Sequence, residues 1–160
     1  MERFQLGQRE WGHRLVLRRV LDPAPVFAIW SNPSIHPFVI DDFSDIAPLP
    51  IIVANPTAIC LMPESADAYF IFIPQRFTIW EVHAAVLRSA RQNSVAWGRE
   101  AAAWMRQHTT CRCILSYVPR GNYAAMALDR AIGFRRIGIV PKCHQHKSVL
   151  RDMSLMALEV

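Results

Sequence analysis

The run from Thr78 to Val118 constrains the fold most. It opens with TIWEVHAAVL, a strand-like stretch from Thr78 to Leu87. A polar turn, Arg88 to Ser94, leads into an alanine-rich stretch that reads as a helix from Ser94 to His108. There Val95, Ala102, Met105 and neighbouring alanines fall on one side at helical spacing. Cys113 to Val118 then reads as a buried strand. A strand that returns to its own sheet through a helix has made a crossover, so these two strands are expected to be parallel neighbours.

The flanking segments fit around this unit. Leu15 to Leu21 reads as a first strand, and Asp22-Pro23 as the start of a short helix, PAPVFAIWSN. Pro33 and Pro37 open an irregular stretch through Pro50. Three strand-like runs follow, Ile51–Leu61, Ala68–Ile73 and Thr78–Leu87, separated by polar or proline-bearing turns that suggest an antiparallel meander. Asn122 caps a helix from Tyr123 to Ile132, which Gly133 ends. Two closing strands, Arg136–Val140 and Met153–Leu158, are joined by what reads as a polar hairpin, PKCHQHKSVLRD. The pattern predicts a single domain over residues 1–160, of α/β (α+β) class. Its sheet should be mixed, mostly antiparallel and twisted, with helices on both faces.

Composition narrows the function. Of 160 residues, 52% are apolar and 19% charged, which suits a packed globular chain and argues against disorder. No apolar run is long enough to cross a bilayer, and the opening MERFQLGQREWGHR lacks an apolar signal core. A cytoplasmic protein without a membrane partner is the expectation. The net charge is +5, but no block of like charges forms a nucleic-acid arm. The excess suits a polyphosphate cofactor or an acidic partner surface. High apolar content also leaves room for a homo-oligomer or assembly interface. Cys60, Cys111, Cys113 and Cys143 read as reduced thiols. Cys111-x-Cys113 with Cys143-His144-x-His146 would offer zinc-type ligands, but neither pair has the usual spacing, so no metal is expected.

A polar turn running into a helix also carries chemistry, because a helix N-terminus presents backbone N–H groups to a phosphate. At this point the half of the chain from Phe77 to Leu158 resembles the GNAT acyltransferases, and in wording most resembles small GNAT proteins of bacteriophages. The resemblance rests on WEVHAAVL, the turn and helix to WMRQHT, the strand CILSYVP, NYAAMALDRAIGF and the closing DMSLMAL. It implies acetyl-CoA as cofactor, with the pantetheine arm slotted between splayed fourth and fifth strands along His83 to Leu87, Val86 included. It also implies a pyrophosphate on the turn Arg91, Gln92, Asn93, Ser94, Val95 and Ala96, and a cofactor contact from Asn122. Two departures stand out. The family turn carries glycine where this chain has Ser94, and often where it has Gln92, so left-handed backbone there would cost about 1–2 kcal/mol per residue. A family tyrosine that serves as acid for the leaving thiolate corresponds to Asp129.

Acyl transfer to an amine needs a base, because an ammonium cannot attack. Glu81 and His83 lie two apart on the fourth strand and therefore share a face. Glu81 is the first candidate and His83 the second. The structural alternatives are a solvent-facing Glu81, a hydrogen-bonded structural His83, and Asn122 as a plain helix cap. Trp80, Trp97 and Trp104 read as core or interface. Two functions follow. One is an acetyl-CoA-dependent N-acetyltransferase acting on an amine of a small molecule or protein by direct attack. The other is a non-catalytic GNAT-fold structural or binding protein, for instance a bacteriophage virion component.

Overall fold

The computed structural model describes residues 16–39 and 48–160, and for 48–50 the backbone alone. The polar opening stretch, Leu15 of the expected first strand, and Ile40 to Ala47 of the proline-rich segment lie outside the described residues. Seven strands form one sheet in the order β1-β2-β3-β4-β5-β7-β6. They are β1 (Leu17–Val20), β2 (Ile59–Pro63), β3 (Ala68–Pro74), β4 (Ile79–Val86), β5 (Cys113–Pro119), β6 (Arg135–His146) and β7 (Val149–Glu159). Every pairing is antiparallel except β4 with β5, the pair joined by the long helix. The crossover expected from sequence is therefore present.

Period-two alternation gives the sheet two apolar faces. Phe70 and Phe72 of β3 point to one side, with Ile114 and Val118 of β5 and Met156 of β7. There they meet Trp97, Ala101, Ala102 and Met105 of α4 (Ser94–His108), and α5 (Tyr123–Ile132) covers β5 beside it. Tyr69 and Ile71 point to the other side, where Val26, Ile29 and Trp30 of α1 (Ala24–Trp30) and Val53 of α3 (Pro48–Val53) pack on them. A short α2 (His36–Val39) lies between α1 and α3 in the chain. The N-cap of α1 is Pro23 rather than the expected Asp22; the Asp22 carboxylate, one residue earlier, accepts from the Ala24 N–H at 2.9 Å. Trp97 is buried, and Trp80 and Trp104 pack at the rim of the same core.

Two expectations are corrected. Ile51–Leu61 is not one strand: Ile51 to Val53 finish α3, and β2 starts only at Ile59. Pro48 and Pro50 lack the N–H that a sheet ladder needs and suit a first helical turn. A continuous apolar run does not by itself distinguish the two states. The polar hairpin, too, is mostly strand. β6 runs on to His146 and β7 starts at Val149. The connection is Lys147-Ser148 alone, with φ of 51° and 60°. Two left-handed residues make the tight turn that matches strand twist, but without the Asn-Gly or Asp-Gly that would signal it.

Candidate active site

The site begins where β4 and β5 part. Their ladder holds Ile79 opposite Cys113, Trp80 opposite Ile114 and Glu81 opposite Leu115, and then stops. β4 continues to Val86 and β5 to Pro119 without pairing to each other. A slot therefore opens in the middle of the sheet, and Ala84 is exposed although its strand is central. Unpaired strand edges of this kind can take an extended ligand by backbone hydrogen bonding. Because the strands are parallel, the helical segments that follow both begin at the same edge of the sheet, beside the open end of the slot.

On the face shared with α1, β4 presents Glu81 and His83. His83 Nε2 lies 3.0 Å from Glu81 Oε1, and the side chains are 38% and 20% exposed. Gln75 Nε2 donates to Glu81 Oε2 at 2.8 Å. Both carboxylate oxygens thus have donors. A neutral His83 that gives its Nε2 proton to Glu81 carries its lone pair on Nδ1.

On the opposite face, Asp129 of α5 closes the inner end of the slot. A cavity of about 30 Å³, room for roughly one water, is lined by Val82 and Ala84 of β4, Ile114 of β5, Gly98 and Ala102 of α4, and Asp129. Asp129 Oδ2 is buried and has no hydrogen-bond partner. Burial pushes its carboxyl up to about 6, and a hydrogen bond from Ser116, the first β5 residue beyond the last paired one, acts in the opposite direction.

The turn after β4 is more closed than expected. Arg88–Asn93 form a 3-10 helix that runs directly into α4. Asn93 and Ser94 have ordinary right-handed angles, and none of Arg91 to Ala96 has positive φ. The expected left-handed strain at Gln92 and Ser94 is therefore absent: the turn follows a helical path that needs no glycine. The Ser94 N–H bonds to the Arg91 carbonyl, and the Ser94 hydroxyl donates to the same oxygen at 2.7 Å. Arg88, Arg91 and Gln92 are exposed, as is Ala96; Asn93, Ser94 and Val95 are half-buried, and Val86 is buried at the end of β4. Asn122 caps α5, its Oδ1 accepting from the Ala125 N–H at 3.2 Å.

The cysteines sit apart. Cys113 lies opposite Glu159 at one end of the β5–β7 ladder, whereas Cys143 and His144 lie beyond its other end. Among the described residues no three His, Cys, Asp or Glu side chains gather into a metal site. Burial pushes the Cys111 thiol up to about 11 and also raises Cys113, so neither is a ready nucleophile. Among the described residues no helix is long and apolar enough to cross a membrane.

No protein-family model and no curated protein sequence matches the chain. Solved structures do. The ribosomal-protein-alanine N-acetyltransferase of Brucella melitensis superposes with a TM-score of 0.73 at 18% identity, over 91% of this chain and 100% of that one. The spermidine N-acetyltransferase of Vibrio cholerae, in complex with CoA and spermine, gives 0.72 at 12%, over 90% and 94%. YncA of Salmonella typhimurium, with its cofactor acetyl-CoA, gives 0.72 at 14%, over 92% and 94%. The chain has the GNAT fold. The slot lies where the resemblance implied that the fourth and fifth strands splay apart, and Asp129 holds the position for which it implied a tyrosine.

Sequence reasoning named Glu81, His83 and the turn, but it missed Gln75 and Ser116 and gave Asp129 little weight. A signal existed for two of them. Asp129 lies three and four residues from Ile132, Met126 and Ala125, all packed against the core, and Ser116 interrupts an otherwise apolar strand.

Proposed function

We propose that the protein is an N-acyltransferase that uses acetyl-CoA to acetylate an amine of a small molecule or protein. The observation that carries this reading is the opening of β4 from β5 directly after Glu81, with His83 on the opened stretch and bonded to it. Along the slot the β4 edge from Val82 to Val86 offers unpaired backbone to the pantetheine arm. Arg91 and the first turn of the 3-10 helix, with Asn93, Ser94, Val95 and Ala96 behind them, face the phosphates. When bound, the cofactor supplies an activated thioester. His83 takes the proton that the acceptor ammonium must lose, and Glu81, itself held by Gln75, orients the ring and stabilises its charged form. This reverses the order of the two candidates. The acceptor amine attacks directly, because the half-exposed Cys113 on this face has a raised pKa.

A second reading has its own observation. Both donors of Ser94 are turned onto Arg91, so the turn offers fewer groups to a phosphate than an open cradle would. This favours a GNAT fold used as a binding or structural protein, a virion component being one example. Acetyl-CoA consumption over a panel of primary amines, read as free thiol, tests the two. Turnover that disappears in His83→Ala supports the enzyme. No thiol release with any amine supports the module.

A further inference from the structure

Asp129 has an environment that the proposed transfer chemistry does not require. Its carboxyl sits in an apolar wall, with one oxygen unpartnered and the cavity beside it. Among the described residues it is the only titratable one lining that cavity. On β4, Glu81 and His83 face the other side of the sheet. On α4, Arg99 donates to the Ala131 carbonyl at 2.7 Å, and Glu100 accepts from the Leu17 N–H at 2.8 Å. The residues that β5 and β7 turn to the core on this side, Ile114, Ser116, Val118, Ser154, Met156 and Leu158, are uncharged, as is Phe134 just before β6. Two charged residues share the face: Arg136 of β6, opposite Met156, is exposed, and Asp152 of β7 pairs with Arg120 at 3.7 Å. On α5 itself, Arg130 is exposed. No cation compensates Asp129 from any packed element among the described residues.

The acyl end of a thioester arm has only acceptors, a carbonyl oxygen and a sulfur. An ionised carboxylate facing them is repelled and can no longer be reached by water. A protonated one donates a hydrogen bond. The geometry points to Asp129 as a proton-linked gate of the slot: when a thioester arm fills the space between β4 and β5, the carboxyl takes up a proton, so that binding and proton uptake are one event. This rests on the acetyl-CoA reading above. The free carboxyl titrates at about 6, so near neutral pH there is a proton to be taken up. Affinity should therefore fall by up to about tenfold per pH unit above that value, until the bound-state value is passed.

The test is calorimetric titration of the full chain with acetyl-CoA at pH 7.5, in buffers of different ionisation enthalpy. Wild type should take up most of a proton per ligand bound. Asp129→Asn should still bind but lack that uptake, and the difference between the two proteins cancels any titration of the ligand's own phosphates. A carbon-13 carboxyl titration of wild type, in which the Asp129 resonance should move to higher pKa on adding acetyl-CoA, reports the same event without any variant. Binding with no difference in proton uptake, and no movement of the resonance, overturns the gate and leaves the acetyl-CoA reading intact. No binding at all overturns both.

Discussion

The Glu81 carboxylate has a donor on each oxygen, and this decides which mutation should cost more. If His83 is the base, His83→Ala should lower kcat/KM by about 10²–10⁴-fold. Glu81→Gln should cost less, because an amide still accepts from His83 and only the charge is lost. Steady-state rates of thiol release separate the two, and the opposite ranking would return the role to Glu81. Asp129 makes a stability prediction of its own. Its folded pKa, about 6, lies above the ordinary 3.8. The folded state thus binds the proton more tightly, so this residue's contribution falls as pH rises from about 4 to about 6 and stays low above. Asp129→Asn carries no charge at any pH. It should melt several degrees above wild type at pH 8, by up to about 3 kcal/mol, and lose most of that advantage at pH 4. Thermal melts at the two pH values check it. Glu81 and His83 were legible because two polar side chains on one face interrupt an apolar strand. Their mutual hydrogen bond was not, since it depends on rotamers and on Gln75 from the preceding turn.

At the scale of elements, α4 and α5 read most clearly, and both run over the residues expected, Ser94–His108 and Tyr123–Ile132. Periodicity and caps are local signals, and here nothing in the packing opposes them. Ile51–Leu61 misled because apolar content is shared by helices and strands, and the deciding prolines lie just upstream. The β6–β7 arm misled because much of it is exposed, which removes the alternation that betrays a half-buried strand. The helix pair also carries a prediction. A Cβ on Gly98 would run into Ile132 Cδ1 and lie 2.8 Å from its Cγ1, so α4 and α5 approach as closely as they do because this residue is glycine. Gly98→Val should force them apart, costing about 1–3 kcal/mol by overpacking. Chemical denaturation should show a lower midpoint, and an unchanged midpoint would mean that the pair is loosely packed.

For the whole molecule, the mixed sheet with its single parallel pair followed from one segment, Thr78 to Val118, because chain connectivity forces it. What the chain does is less legible. The slot depends on where a ladder stops, and the cavity on which side chains from β3, β4, β5, α4 and α5 fail to fill it. No local pattern encodes either. The closed turn at Arg88–Asn93 was hidden for the opposite reason: missing glycines suggested strain, when the backbone had taken a helical path that needs none. Titration calorimetry of the full chain with acetyl-CoA reads out whether the slot and turn take the cofactor. Saturable binding well below millimolar ligand is expected, weakened by Ala84→Phe, which fills the slot. An absence of heat at millimolar acetyl-CoA, both in wild type and in a Gln92→Gly, Ser94→Gly double variant that opens the turn, would mean that they do not.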